Sequence, residues 1–137
     1  MATIPQKLHD VLAGGHNIWV ATVGPDGTPN VSIKGSGSLL DDEHIYFADL
    51  YHKETLENLE RDPRVAVGVH DFPRHVAMQI KGHAEILDHG ELVDEMKRKL
   101  AAVSEKWKLP PVQHVVKVTV DAVVDLWPGE HAGEQVA

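Results

Sequence analysis

A single stretch of this chain, Glu91 to Trp107, repeats its apolar residues at helical spacing over several turns. Leu92, Met96, Leu100, Val103 and Trp107 fall four, four, three and four apart. The remainder is short apolar, β-branched runs cut by turn signals. Ile18 to Val23 reads as a strand, and Gly24-Pro25-Asp26-Gly27 turns it back into Thr28 to Gly35. In this second strand Val31 and Ile33 share an apolar face, and Ser32 and Lys34 a polar one. A third strand runs from His44 to Asp49, a fourth from Arg64 to His70, a fifth from His75 to Leu87 and a last from Val115 to Leu126. Gly82 predicts a bend or bulge in the fifth. A doubly wound sheet needs a helix after nearly every strand, and these connections are too short to supply them. The expected fold is mainly β with short helices, a barrel or sandwich of about six strands.

Three helices are expected. Thr3 and Gln6 have capping-box spacing ahead of Leu8, Val11 and Leu12, with Gly14-Gly15 as the stop. Leu56 and Leu59 give a short helix after the third strand one apolar edge, and Pro63 ends it. The third is the long period already described, whose stripe makes Trp107 a core residue. Pro128-Gly129 opens a polar tail.

The 137 residues suit one domain, 1–137. No apolar run approaches the ~20 residues of a membrane span, and the N-terminus lacks the basic and apolar regions of a signal peptide. The expected location is cytoplasmic. The chain has no cysteine, which excludes disulfides, thiol catalysis and iron–sulfur ligation. A formal charge of −8 argues against nucleic acid and anionic membranes as partners, so any bound phosphate needs a local device. Ten histidines are the compositional oddity. None pair as His-Glu-x-x-His; His70 with His75, and His83 with His89, flank a loop and a bend, where scattered surface positions are the simpler reading and no metal site is expected. No phosphate loop, dinucleotide fingerprint or nucleophile elbow is present.

The device is found at the short second helix. Lys53, Thr55 and Asn58 open and line it, and the first N–H groups of a helix are unpaired and partly positive. An ammonium and a hydroxyl there make an anion site, although Glu54 competes for the same field and a plain capped connector would look similar. If the Ser32/Lys34 strand lies alongside, two lysines converge on one anion. Lys34-Gly35 also suits a backbone that a ligand approaches closely.

The ordered set Pro29-Asn30-Val31-Ser32-Ile33-Lys34-Gly35-Ser36, Ile45-Tyr46-Phe47-Ala48-Asp49, Lys53-x-Thr55-x-x-Asn58-Leu59, Asp62-Pro63-Arg64-Val65, Ile80-Lys81-Gly82-His83-Ala84 and Pro128-Gly129-x-x-Ala132-Gly133 resembles the pyridoxamine-phosphate-oxidase-like FMN-binding proteins over most of the chain. The resemblance implies an FMN-binding split β-barrel of Greek-key type and a homodimer with FMN at the interface. By position it implies that Lys53 and Thr55 hold the FMN phosphate, with Ser32, Ile33 and Lys34 on the adjacent strand and Asn58 nearby. Tyr46, Phe47 and Ala48 would edge the flavin ring, by backbone and side chain. Gln79 and Lys81 would face the same groove, and Trp127 would pack on the partner's ring. Apolar surface near Val65, Val67 and Val69 is the expected reserve for dimerisation.

The expected function is flavin redox chemistry, as an oxidoreductase or an electron carrier, with a nicotinamide donor or a redox protein as partner. The catalytic residues are not specified, because the flavin carries the chemistry. The acidic C-terminus, without lysine or arginine after Lys117, argues against a genuine pyridoxamine-phosphate oxidase, which binds a second phosphate. Two other readings remain. One is a non-enzymatic sensor binding haem or a deazaflavin on the same barrel, and the other a histidine-rich metal store.

Overall fold

The computed structural model describes residues 1–51 and 53–137. The order is α1 (Gln6–Leu12), β1 (His16–Val23), β2 (Pro29–Leu39), β3 (His44–Asp49), α2 (Glu54–Arg61), β4 (Arg64–Asp71), β5 (Val76–Leu87), α3 (Glu91–Trp107) and β6 (His114–Asp125). The strands close an antiparallel barrel in the order β1-β2-β3-β6-β5-β4. The expected β class and six strands are therefore observed. The Greek-key step lies at β3, which pairs with β6 along its whole length.

Alternation of side chains fills the barrel. Ile18 and Val20, Ile45 and Phe47, Val65, Val67 and Val69, Met78 and Ile80, and Val116, Val118 and Val120 all point inward and are nearly or fully buried. Leu8, Val11 and Leu12 of α1 and Leu56 and Leu59 of α2 join the same core. β3 is covered on both sides, because Tyr46 and Ala48 on its outer face pack under Val93 and Met96 of α3. The bulge expected at Gly82 is present, as a register shift between Lys81 and Gly82 against β6. No room exists there for a Cβ, which would collide with the Thr119 carbonyl.

Two expectations fail, at the start of α1 and along β4, and two features that the sequence left open are settled, at β2 and the tail. Thr3 and Gln6 form no capping box: the N-cap is Pro5, without a side-chain bond. The segment before it is instead held extended, with the Ala2 and Ile4 amides donating to the Val120 and Asp42 carbonyls and Ile4 buried. Val65, Val67 and Val69 are core residues with no apolar surface to spare. The apolar face of β2 is turned outward, with Val31 60% and Ile33 56% exposed, while Ser32 and Lys34 face the start of α2. The tail is pinned: the Val123 and Asp125 amides donate to the Ala137 and Glu134 carbonyls, and Gly133 and Val136 donate back to β6.

Candidate functional site

β2 and β3 pair only through Ser38–Tyr46 and Leu39–Ile45. Beyond these the strands splay, and the Ala48 amide donates to the Ser36 hydroxyl rather than to a backbone carbonyl. α2 starts beside the splayed part of β2. Its N-cap, Lys53, is extended and supplies no side-chain cap to the first-turn amides.

Two clefts follow β2. The polar one, about 340 Å³, is lined by Asn30, Ser32, Lys34, Asp49, Tyr51, Lys53, Glu54 and Thr55. Here the Ser32 and Thr55 hydroxyls lie 2.8 Å apart. Lys34 Nζ donates to Asp49 Oδ2 at 3.1 Å, and the carboxylate side chain is only 2% exposed. The second cleft, about 250 Å³, is mainly apolar: Ile33, Ala48, Leu50, Leu100, Val103 and Leu109 line it with Lys34, Gly35, Ser36 and Tyr51. Lys34 and Tyr51 belong to both. The arrangement suits an elongated ligand with an anionic end and a flat apolar end.

The structure thus brings together Ser32, Lys34, Lys53 and Thr55 at one cleft, and Ile33 and Ala48 at its neighbour. The other expected residues lie elsewhere in the chain. Phe47 is fully buried in the barrel, so only its backbone could meet a ligand, and Tyr46 lies under α3 with its hydroxyl 2.6 Å from Lys99 Nζ. Asn58 is buried on the barrel side of α2; its amide donates to Thr22 Oγ1 at 3.0 Å and accepts from Arg61 at 3.1 Å. It anchors the helix instead of lining the cleft. Gln79 is opposite Gly68, and Lys81 opposite Ala66, on β5, which β4 and β1 separate from β2. Trp127 stacks on His75 at 5.1 Å and meets Phe72 edge-on at 5.9 Å, at the β4–β5 turn. Trp107 is 66% exposed, with Lys106 over its ring, because α3 buries only its first half, at Val93 and Met96.

Sequence reasoning missed Asp49 and the walls that α3 lends to the apolar cleft. An acid closing the apolar run Ile45-Tyr46-Phe47-Ala48 was the available signal for the first. Leu100 and Val103 were legible as an apolar stripe, but a core stripe and a cleft wall share one period. Several histidines pair with exposed carboxylates, His83 with Asp121 and His89 with Asp88 among them. Among the described residues no three His, Asp or Glu side chains converge as metal ligands.

Known proteins share this architecture. The chain is 30% identical over 124 residues to the uncharacterised protein MJ0282 of Methanocaldococcus jannaschii, covering 88% of this chain and 79% of that one. The crystal structure of HupZ from Group A Streptococcus superposes with a TM-score of 0.77 at 25% identity, over 95% of this chain and 99% of that one. An FMN-binding protein from Syntrophomonas wolfei matches with a TM-score of 0.67 over 88% of this chain and 76% of that one, a likeness of fold at 15% identity. A family model described as pyridoxamine 5'-phosphate oxidase matches residues 4–126. With a closed six-stranded barrel and that match over most of its length, the chain belongs to the pyridoxamine 5'-phosphate oxidase family.

Proposed function

We propose that this protein binds FMN along β2 as a homodimer and serves in flavin redox chemistry. The observation that carries the reading is the junction of the polar cleft and the apolar cleft at Lys34. The phosphate sits against the first-turn amides of α2, the Thr55 and Ser32 hydroxyls and Lys53. The ring sits against Ile33 to Ser36 and Ala48, where the splayed strands offer backbone groups to its polar edge. Lys34 and Lys53 offset Asp49 and Glu54, so the site is not acidic like the rest of the chain. Bound flavin supplies hydride or electron transfer; the chain orients it and keeps water from one face with Leu100, Val103 and Leu109.

A dimer is supported by the outer sheet. Trp19 is 44% exposed, opposite Ile33 on one side and Gly68 on the other, and Ala21 lies between Val31 and Ala66. The result is a flat apolar face, of the kind that marks an interface. Docking there would set a partner beside each flavin, with Gln79, Lys81 and Trp127 as its contributions.

The tail favours a reaction other than oxidation of a pyridoxamine phosphate ester. It carries no lysine or arginine after Lys117, and its His131 is engaged with Glu134 at 3.0 Å. A nicotinamide or a redox protein is the fitting electron partner.

The first experiment is the visible spectrum and calorimetric binding of FMN and riboflavin. A flavin band pair with FMN preferred supports the reading. A Soret band, or a deazaflavin bound in place of FMN, moves the protein to the sensor class. Equal affinity for FMN and riboflavin removes the phosphate site. Oxygen-dependent formation of pyridoxal phosphate at a rate of ~1–10³ per second would make it a true oxidase.

A further inference from the structure

A third cleft, about 390 Å³, continues from the apolar one and shares Gly35, Ser36, Leu100 and Val103 with it. That volume falls in the small-molecule range of roughly 300–1,000 Å³. Its lining is small or apolar, from Gly14-Gly15 after α1 to Ser38 and Met96, with one charged side chain, Lys99. The ammonium is positioned from beneath: Lys99 Nζ donates to the Tyr46 hydroxyl at 2.6 Å and lies 5.0 Å from the centre of the Tyr46 ring. Tyr46 is 1% exposed on a strand covered on both faces, so this anchor is rigid. One of three N–H donors is engaged there, and the others remain for a ligand. A carboxylate, that of Glu95, stands 3.8 Å away one turn back on α3, in a pair open to solvent and therefore weak.

We propose that this third cleft binds the second reactant, and that the reactant is a small organic anion: a carboxylate or enolate on an apolar body. Lys99 takes the charge, while Met96, Leu100 and Val103 cover the body. Its role as second reactant rests on the flavin reading; its binding of an anion does not. Along β2, Ser36 is about 13 Å and Ser38 about 20 Å from Ser32, at the usual rise per residue. A flavin with its phosphate at Ser32 therefore has its ring near Ser36, and the space by Ser38 and Lys99 is left for another molecule in contact with it. A chain of net charge −8 repels anions at long range, so a lone lysine among small and apolar residues is a specific admission.

The test is titration of the protein, with and without FMN, by benzoate and its neutral isostere benzamide, read by calorimetry and by amide shifts around Gly14 and Gly35. Benzoate is expected to bind about tenfold tighter, a difference of about 1.4 kcal/mol. Lys99→Gln keeps a partner for Tyr46 without the charge and should erase that preference. Lys99→Arg should restore it, and neither variant should move the FMN affinity. Equal binding of the two probes, binding of neither at millimolar concentration, or an unchanged benzoate affinity in Lys99→Gln overturns the proposal. Benzoate binding through Lys99 in a protein that takes no FMN would overturn the flavin reading and uphold the anion site.

Discussion

Thr55 is only 4% exposed, yet its hydroxyl reaches the Ser32 hydroxyl across the mouth of the polar cleft. Thr55→Ala and Lys53→Ala should each weaken FMN by about tenfold, the scale of a charged hydrogen bond, and leave riboflavin nearly unchanged. Parallel titration with the two ligands checks this; equal losses for both would place the phosphate elsewhere. Lys34 has a second duty, since it holds the buried carboxylate of Asp49. Lys34→Met should therefore lower stability by about 2 kcal/mol in urea unfolding even with no ligand present. That Ser32, Lys34, Lys53 and Thr55 meet at one cleft was legible in the sequence, because helix-start amides and a polar strand face have local signatures. Asp49 was not, since its pairing depends on how β2 and β3 diverge, which no local pattern records. Asn58 misled for the opposite reason: it lies on the right helix, but on the side turned to Thr22.

Among the elements, α3 was readable from first residue to last, because a repeated period outweighs local noise. α1 was legible by Leu8, Val11 and Leu12 but not at its start, because backbone bonds from Ala2 and Ile4 override the Thr3–Gln6 signal. The β5 bulge gives a direct test of an element. Gly82→Ala must push against the Thr119 carbonyl and Val118, and should cost roughly 1–3 kcal/mol in thermal or urea unfolding. The α2–β4 junction gives another. The Arg64 guanidinium grips Asp62 through its side chain and holds the carboxyl at about 2. A carboxyl lowered in the folded state stabilises fully above its unfolded value of about 4, and that contribution fades as pH falls toward 2. Asp62→Asn should accordingly flatten the acid limb of the stability curve below pH ~4 and leave its slope at neutral pH unaltered.

At the scale of the molecule, the β class, six strands and family were legible from strand spacing and the ordered motifs. Which face of β2 turns outward was not, since alternation gives two faces without assigning either to the core. That assignment decides assembly. Ile33→Asp puts a charge in the middle of the Trp19–Ile33–Val31 face and should convert a dimer into monomers in sedimentation at micromolar concentration. A wild-type protein that sediments only as a monomer would remove the interface. The incomplete pairing of β2 with β3 has one more consequence. A closed barrel hides the unpaired backbone edges through which sheets recruit foreign strands. Here closure rests on two residue pairs, and the rest of that side of β2 lies along the proposed ligand groove. Whatever fills the groove also guards an adhesive edge, so loss of ligand should make the protein prone to strand-by-strand aggregation, with Lys34 as the charge that blunts it.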